Sequence, residues 1–145
     1  MKLSTRAGYS VRLMVYLADH GRPDRPVSLK EVAQNQGLSQ RYLEQLVMPL
    51  KNASLVRSVP GKHGGYYLAR SPKEIQIGEI IEGAIGRIRI MDCLDSQYEC
   101  KFMEKCNARR MWGLINVRIT DVLYDYSLED LSETRTKPSP QTVPV

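Results

Sequence analysis

The stretch Val27-Ser-Leu-Lys-Glu-Val-Ala33, continued by Gly37-Leu-Ser39 and Gln40-Arg-Tyr-Leu-Glu-Gln-Leu-Val-Met-Pro-Leu50, decides the fold. Ser28 and Glu31 have the spacing of a capping box, in which hydroxyl and carboxylate each satisfy an orphan N–H. The box opens a short helix through Val32 and Ala33, which Gly37 ends. Ser39 caps the next helix. There Leu43, Leu46, Val47 and Leu50 fall at i, i+3, i+4 and i+7, the spacing of one buried face. Helix, glycine-bearing turn, helix is the helix-turn-helix pattern. Pro49 removes an amide and crowds the Gln45 carbonyl. The helix is therefore expected to kink there, or to end its regular part near Met48.

Downstream, Leu55-Val-Arg-Ser-Val59 and Tyr66-Tyr-Leu-Ala69 read as short strands around the loop Pro60-Gly-Lys-His-Gly-Gly65, a hairpin of the kind called a wing. Gly61, Gly64 and Gly65 permit positive φ and close backbone approach. Upstream, Ala7, Val11, Met14, Leu17 and Ala18 mark a helix from about Ser4 to His20, with Gly21 as its cap. After the hairpin, Ser71-Pro-Lys-Glu74 reads as a turn or helix start. Ile77, Ile80, Ile81 and Ile85 mark a further helix ending near Gly86. Three cysteines follow in a segment without clear periodicity. A last long helix is expected from about Glu104 to Tyr126. It carries a stripe of Trp112, Ile115, Ile119, Val122 and Tyr126 and a second apolar edge at Leu114 and Val117. At 1.5 Å per residue Trp112 to Tyr126 spans about 22 Å, long enough for one edge to pack on its own domain and the other on a second copy.

The expected fold class is mainly α with a small β-hairpin: a winged helix-turn-helix domain over 1–86, a cysteine-containing segment over 87–107, and a dimerisation helix with a short following helix over 108–133. A disordered tail is expected over 134–145, which carries three prolines and few large apolar groups. A chain of 145 residues with 42% hydrophobic and 26% charged residues fits one globular domain and excludes collagen, a long coiled coil and wholesale disorder.

Charge is uneven. Residues 1–70 hold 11 Lys+Arg and 4 Asp+Glu, a balance of +7, and residues 71–145 hold 10 and 12, a balance of −2. The basic excess sits where a polyanion would bind, although a solvated basic face explains charge alone equally well. No stretch approaches the roughly 18 apolar residues of a membrane span. Arg12 and Asp19 interrupt any apolar run after the N-terminus, so neither signal peptide nor anchor is expected and the address is cytoplasmic. No H-E-x-x-H, nucleophile elbow or phosphate loop is present, and both histidines lie far from the cysteines in sequence. An enzyme is not expected.

A helix-turn-helix puts the N-terminal end of its second helix into the major groove. With the leucine face inward, Gln40, Arg41, Glu44 and Gln45 face outward. Arg41 suits guanine or phosphate, Gln40 and Gln45 suit adenine, and Glu44 accepts from cytosine N4. Ser39 and Tyr42 can donate to phosphates. Lys62 and His63 at the loop tip suit a minor groove or phosphate. The partner expected is double-stranded DNA.

Cys93-x6-Cys100-x5-Cys106 offers thiolates suited to iron–sulfur clusters or zinc. Structural zinc prefers tighter pairs and four protein ligands. Redox thiols activated by Lys101, Lys105 and Arg109, or three incidental cysteines, are the other readings.

Val27 to Ala33, Gly37-Leu-Ser39, Tyr42-Leu-Glu-Gln-Leu46, Leu55-Val56 and Gly61-Lys-His-Gly-Gly-Tyr66 together resemble the Rrf2 family of bacterial winged-helix regulators, over Met1 to about Tyr126. Among its branches the chain is most similar to the IscR-like regulators of iron–sulfur cluster biogenesis. The resemblance implies a homodimer on the long C-terminal helix and a pseudo-palindromic operator. It puts the recognition-helix glutamate at Glu44. It also implies an iron–sulfur cluster on Cys93, Cys100 and Cys106, 2Fe-2S by default and 4Fe-4S as runner-up, with feedback on cluster-biogenesis genes. The chain departs from the family at three places. Pro60 stands where the wing usually has Arg. Arg109 stands where the IscR-like branch often has His. Gly8 stands where the nitric oxide sensors have an acidic residue. The fourth ligand is open among Asp92, Glu99, Glu104, a residue of the second copy, or solvent. The rival functions are a regulator sensing nitric oxide, iron or oxidants through a 4Fe-4S cluster or free thiols, and an iron–sulfur carrier or redox protein.

Overall fold

A computed structural model describes residues 4–132, and the tail expected over 134–145 lies outside them. The elements run α1 (Thr5–His20), α2 (Leu29–Gln36), α3 (Gln40–Asn52), β1 (Val56–Val59), β2 (Gly65–Leu68), α4 (Ile77–Ile85), α5 (Asn107–Asp125) and α6 (Leu128–Leu131), with short 3-10 turns before α4 and on both sides of Cys100. The chain is mainly helical with one antiparallel hairpin, in which Val56 pairs with Leu68 and Val59 with Gly65.

One core unites the first half with the end of the chain. Leu13, Met14 and Leu17 of α1, Leu43, Leu46 and Leu50 of α3, Ile80 of α4 and Leu128 of α6 are all fully buried within it. At roughly 1.5–3 kcal/mol per large side chain, this burial far outweighs the local propensities of short helices. Val27, just before α2, bridges to Tyr66 of β2 with paired bonds of 2.9 and 2.8 Å. The hairpin is thereby stitched to the helix-turn-helix, a third strand-like partner that the sequence pattern did not signal.

Caps fix where the helices begin. Ser4, Ser28 and Ser39 each accept the amide three residues on. Only half of the expected Ser28–Glu31 box forms: the Glu31 carboxylate takes the Tyr16 hydroxyl at 3.3 Å instead. Burial, then the Glu31 charge, pushes the Tyr16 phenol above its ordinary value. Gly37 closes α2 in the left-handed region at φ 66°. α3 does not end near Met48; it runs through Pro49 to Asn52. Met48's neighbours Leu46, Val47 and Leu50 are buried, and that packing outweighs the missing amide bond.

The join between the two halves is made at α4. Ile77 N–H donates to Tyr126 O at 2.9 Å, and Leu128 N–H to Ile75 O at 2.7 Å. The Tyr124 ring lies across Gly78, where any Cβ would collide with it. Its hydroxyl donates to Glu82 at 2.7 Å. Burial raises the Glu79 carboxyl pKa, but the Gln76 amide and Arg70 at 2.7 Å outweigh it, leaving the group below the usual range. α5 starts at Asn107 rather than about Glu104, because Cys106 is extended and its Sγ accepts the Arg109 amide at 3.4 Å as the cap. None of its 19 residues is buried. Among the described residues, no helix is long and apolar enough to cross a membrane.

Candidate nucleic-acid interface and cysteine segment

α3 separates its two faces as the spacing requires. Leu43, Leu46, Val47 and Leu50 are buried, while Gln40, Arg41, Glu44 and Gln45 are exposed. Gln40 Nε2 donates to Glu44 Oε1 at 3.3 Å, which holds these two side chains together along one edge. That edge faces a cleft shared with Ser58, Pro60 and Gly61 of the hairpin. The opposite edge leans on α1, where Tyr42 meets the Tyr9 ring edge-to-face at 5.9 Å. Tyr42 is thus half-buried at the α1 contact, not in line with the outward residues. Ser39 is exposed, its oxygen engaged as the α3 cap.

The wing tip presents Lys62 and His63 to solvent. Gly61 alone of the loop glycines has positive φ, at 106°. Gly64 and Gly65 are needed for space instead: a Cβ at Gly64 would strike the Val59 carbonyl, and one at Gly65 the Val27 backbone. Of the two properties that the loop glycines permit, Gly61 uses positive φ and Gly64 and Gly65 use close backbone approach.

Two residues at this interface escaped the sequence reading. Met48 is 52% exposed, in the middle of the outward face one turn beyond Glu44. The helical period places it there, between Glu44 and Arg41 on the helix surface. Arg6, at the start of α1, donates from Nη2 to the Gln45 carbonyl at 3.0 Å. No spacing rule links positions 39 residues apart.

The cysteine segment is held to α5 by protein contacts. The Asn116 side chain accepts Ile90 N–H at 3.0 Å and donates to Ile88 O at 3.1 Å. Arg109 Nε donates to Cys93 O at 2.8 Å. Arg89 pairs with Asp95. Cys93 and Cys106 are therefore both tied to Arg109, one through its carbonyl and one through its sulfur. Cys100 stands apart on an exposed stretch beside Lys101 and Phe102. Among the described residues, no three His, Cys, Asp or Glu side chains are gathered to hold a metal ion. Asp92, Glu99 and Glu104 are exposed. The donor chemistry suits iron, and a shared cluster would require the three thiolates to converge from this arrangement.

α5 turns a largely apolar face outward. Leu114 is 66%, Val117 56% and Val122 54% exposed, and a groove lined almost wholly by carbon runs along Leu114, Ile115, Ile119, Val122 and Leu123. Trp112, Ile119 and Leu123 are the half-buried line, so the stripe expected from the sequence divides between the two faces.

The profile of the Rrf2 family, described as an iron-dependent transcriptional regulator, matches residues 3–134. The regulator CymR of Bacillus subtilis is 41% identical over 133 residues, covering 91% of this chain and 90% of its own. IscR of Pectobacterium carotovorum is 34% identical over 131 residues, covering 90% and 79%. The solved structure of B. subtilis CymR, described as a global cysteine regulator, superposes with a TM-score of 0.75 at 38% identity, covering 93% of this chain and 98% of that one. That of T. potens IscR gives 0.70 at 36% identity, covering 94% and 93%. With a winged helix, an exposed α3 face and relatives that are DNA-binding regulators rather than enzymes, the chain belongs to the Rrf2 family of transcription regulators.

Proposed function

We propose that the chain works as a homodimer that reads a pseudo-palindromic duplex with α3 and the wing tip, and that the segment 87–107 sets how tightly it does so. The observation that carries this is the clean division of α3, with four hydrogen-bonding side chains exposed opposite four buried apolar ones, beside a wing that closes on the Gln40–Glu44 edge. Arg41, Gln40, Gln45 and Glu44 would contact base edges, Ser39 and Tyr42 phosphates, and Lys62 and His63 the adjacent minor groove or its phosphates. The outward face of α5 would meet its equivalent in the second copy. Two-fold symmetry then places the half-sites about one or two helical turns apart.

The species sensed is, on this reading, an iron–sulfur cluster on Cys93, Cys100 and Cys106, 2Fe-2S ahead of 4Fe-4S. Three thiols in one segment and the family's description as iron-dependent support it. The chain's own residues do their part without that group: Arg109 and Asn116 bind the backbone on the near side of Cys93 to the dimer helix, so a change in the segment bears directly on α5. One of these contacts favours a second reading, a metal-free thiol sensor, because the Cys106 sulfur already accepts the Arg109 amide. Anaerobic reconstitution with iron and sulfide separates the two. The cluster reading expects a visible chromophore with matching iron and sulfide content, lost on Cys100→Ala. A colourless protein, or a chromophore that survives Cys100→Ala at full iron content, sinks that ligand set.

A further inference from the structure

Pro49 leaves the Gln45 carbonyl without its helical amide, and the structure shows what takes its place. Arg6 Nη2, from the first turn of α1, donates to that carbonyl at 3.0 Å. This fixes a guanidinium at the edge of α3 against α1, opposite the edge that faces the wing. Arg6 is exposed, and among the described residues no carboxylate lies within ion-pair distance of it. One carbonyl uses one of its five N–H donors, so the rest of the fork faces solvent beside Gln45.

A helix lying in a major groove has a phosphate strand on either side of it, since the groove is about 12 Å wide. The wing tip, with Lys62 and His63, serves one side. On the other side, at the Tyr42–Gln45 edge, Arg6 puts a cation in place. We propose that Arg6 is a DNA-phosphate contact, held in position by the carbonyl that Pro49 orphans, and that with the wing it grips the two strands flanking α3. This rests on α3 being the DNA-reading helix. It assigns a positioning contact and no base recognition.

The test uses the full-length protein and a duplex that the wild-type protein selects from a random-sequence pool. Its affinity is measured between about 50 and 200 mM salt. Arg6→Gln is expected to flatten the slope of log K against log salt by about 1.8 for the bound dimer, one phosphate per protomer, and to weaken binding roughly 25- to 100-fold near 0.1 M. The selected motif should not change, and Arg6→Lys should keep most of the slope. Pro49→Ala returns an amide to the Gln45 carbonyl. In that background any stability lost with Arg6→Gln should shrink while the slope still falls, separating the phosphate contact from a structural role. An Arg6→Gln slope equal to wild type overturns the proposal, whatever happens to stability. Absence of salt-dependent duplex binding by the wild-type protein overturns instead the reading of α3 on which it rests.

Discussion

Tyr124 shows how much one side chain holds at the join between the two halves. Its ring needs Gly78 beneath it, and its hydroxyl needs Glu82 at 2.7 Å. That hydrogen bond, then burial, then the charges of Glu82 and Glu79, push the phenol from 10.0 to about 12. A raised folded pKa means that the contribution is whole below the unfolded value near 10 and drains away as pH rises through about 12. Tyr124→Phe should therefore remove the part of the alkaline unfolding profile that lies in this window, read by far-UV circular dichroism. Gly78→Ala should destabilise more, by about 1–3 kcal/mol in urea unfolding, since the ring must move to admit a methyl. At the reading face, Arg41→Ala should cost about 1–3 kcal/mol of specific duplex affinity and relax the base preference at one position of each half-site. Unchanged affinity and motif would remove Arg41 from the contact set. The outward side chains of α3 could be read in advance because period and caps are local. Arg6 could not, since its bond joins α1 to α3 across 39 positions and ends on the carbonyl that Pro49 leaves without a helical amide.

α5 is the element whose sequence exceeds its own needs. Nineteen residues make a rod of about 28 Å, and none of them is buried in the single chain. A helix with so broad an apolar face, Leu114, Ile115, Val117 and Val122 exposed together, leaves a surface that a second copy would cover in the proposed dimer. Leu114→Lys places a charge there and should raise the dimer dissociation constant by roughly 30-fold or more, about 2 kcal/mol, with helix content unchanged. Analytical ultracentrifugation reads this directly, and a dimer as tight as wild type would move the interface elsewhere. The existence and the excess hydrophobicity of α5 were legible in its spacing. Which side chains face inward was not. Asn116, a polar residue in the middle of the stripe, points to Ile88 and Ile90 and rotates the helix so that Trp112, Ile119 and Leu123 take the inner side. It starts about one turn later than the spacing predicts, because a cysteine sulfur serves as the cap in place of the usual hydroxyl or carboxylate.

Over the whole molecule, the +7 of residues 1–70 falls on the winged helix, and the −2 of residues 71–145 on the part that holds the cysteine segment and α5. The basic part would be drawn to DNA and the other part left to a second copy and to a signal. Between them runs a chain of contacts from Cys93 through Arg109 to α5, and from Tyr124 through Glu82 to α4, which is packed on α1 and α3. That path gives a change at the cysteines a physical way to alter the spacing of two α3 helices, provided its two states bind the signal differently. If α3 reads duplex DNA, selection of bound duplexes from a random-sequence pool should reveal it. The account predicts a pseudo-palindrome with half-sites about one or two helical turns apart, and a change at one position per half-site for Arg41→Ala and at another for Glu44→Ala. No enriched motif from the wild-type protein, or the same motif from both variants, would contradict it.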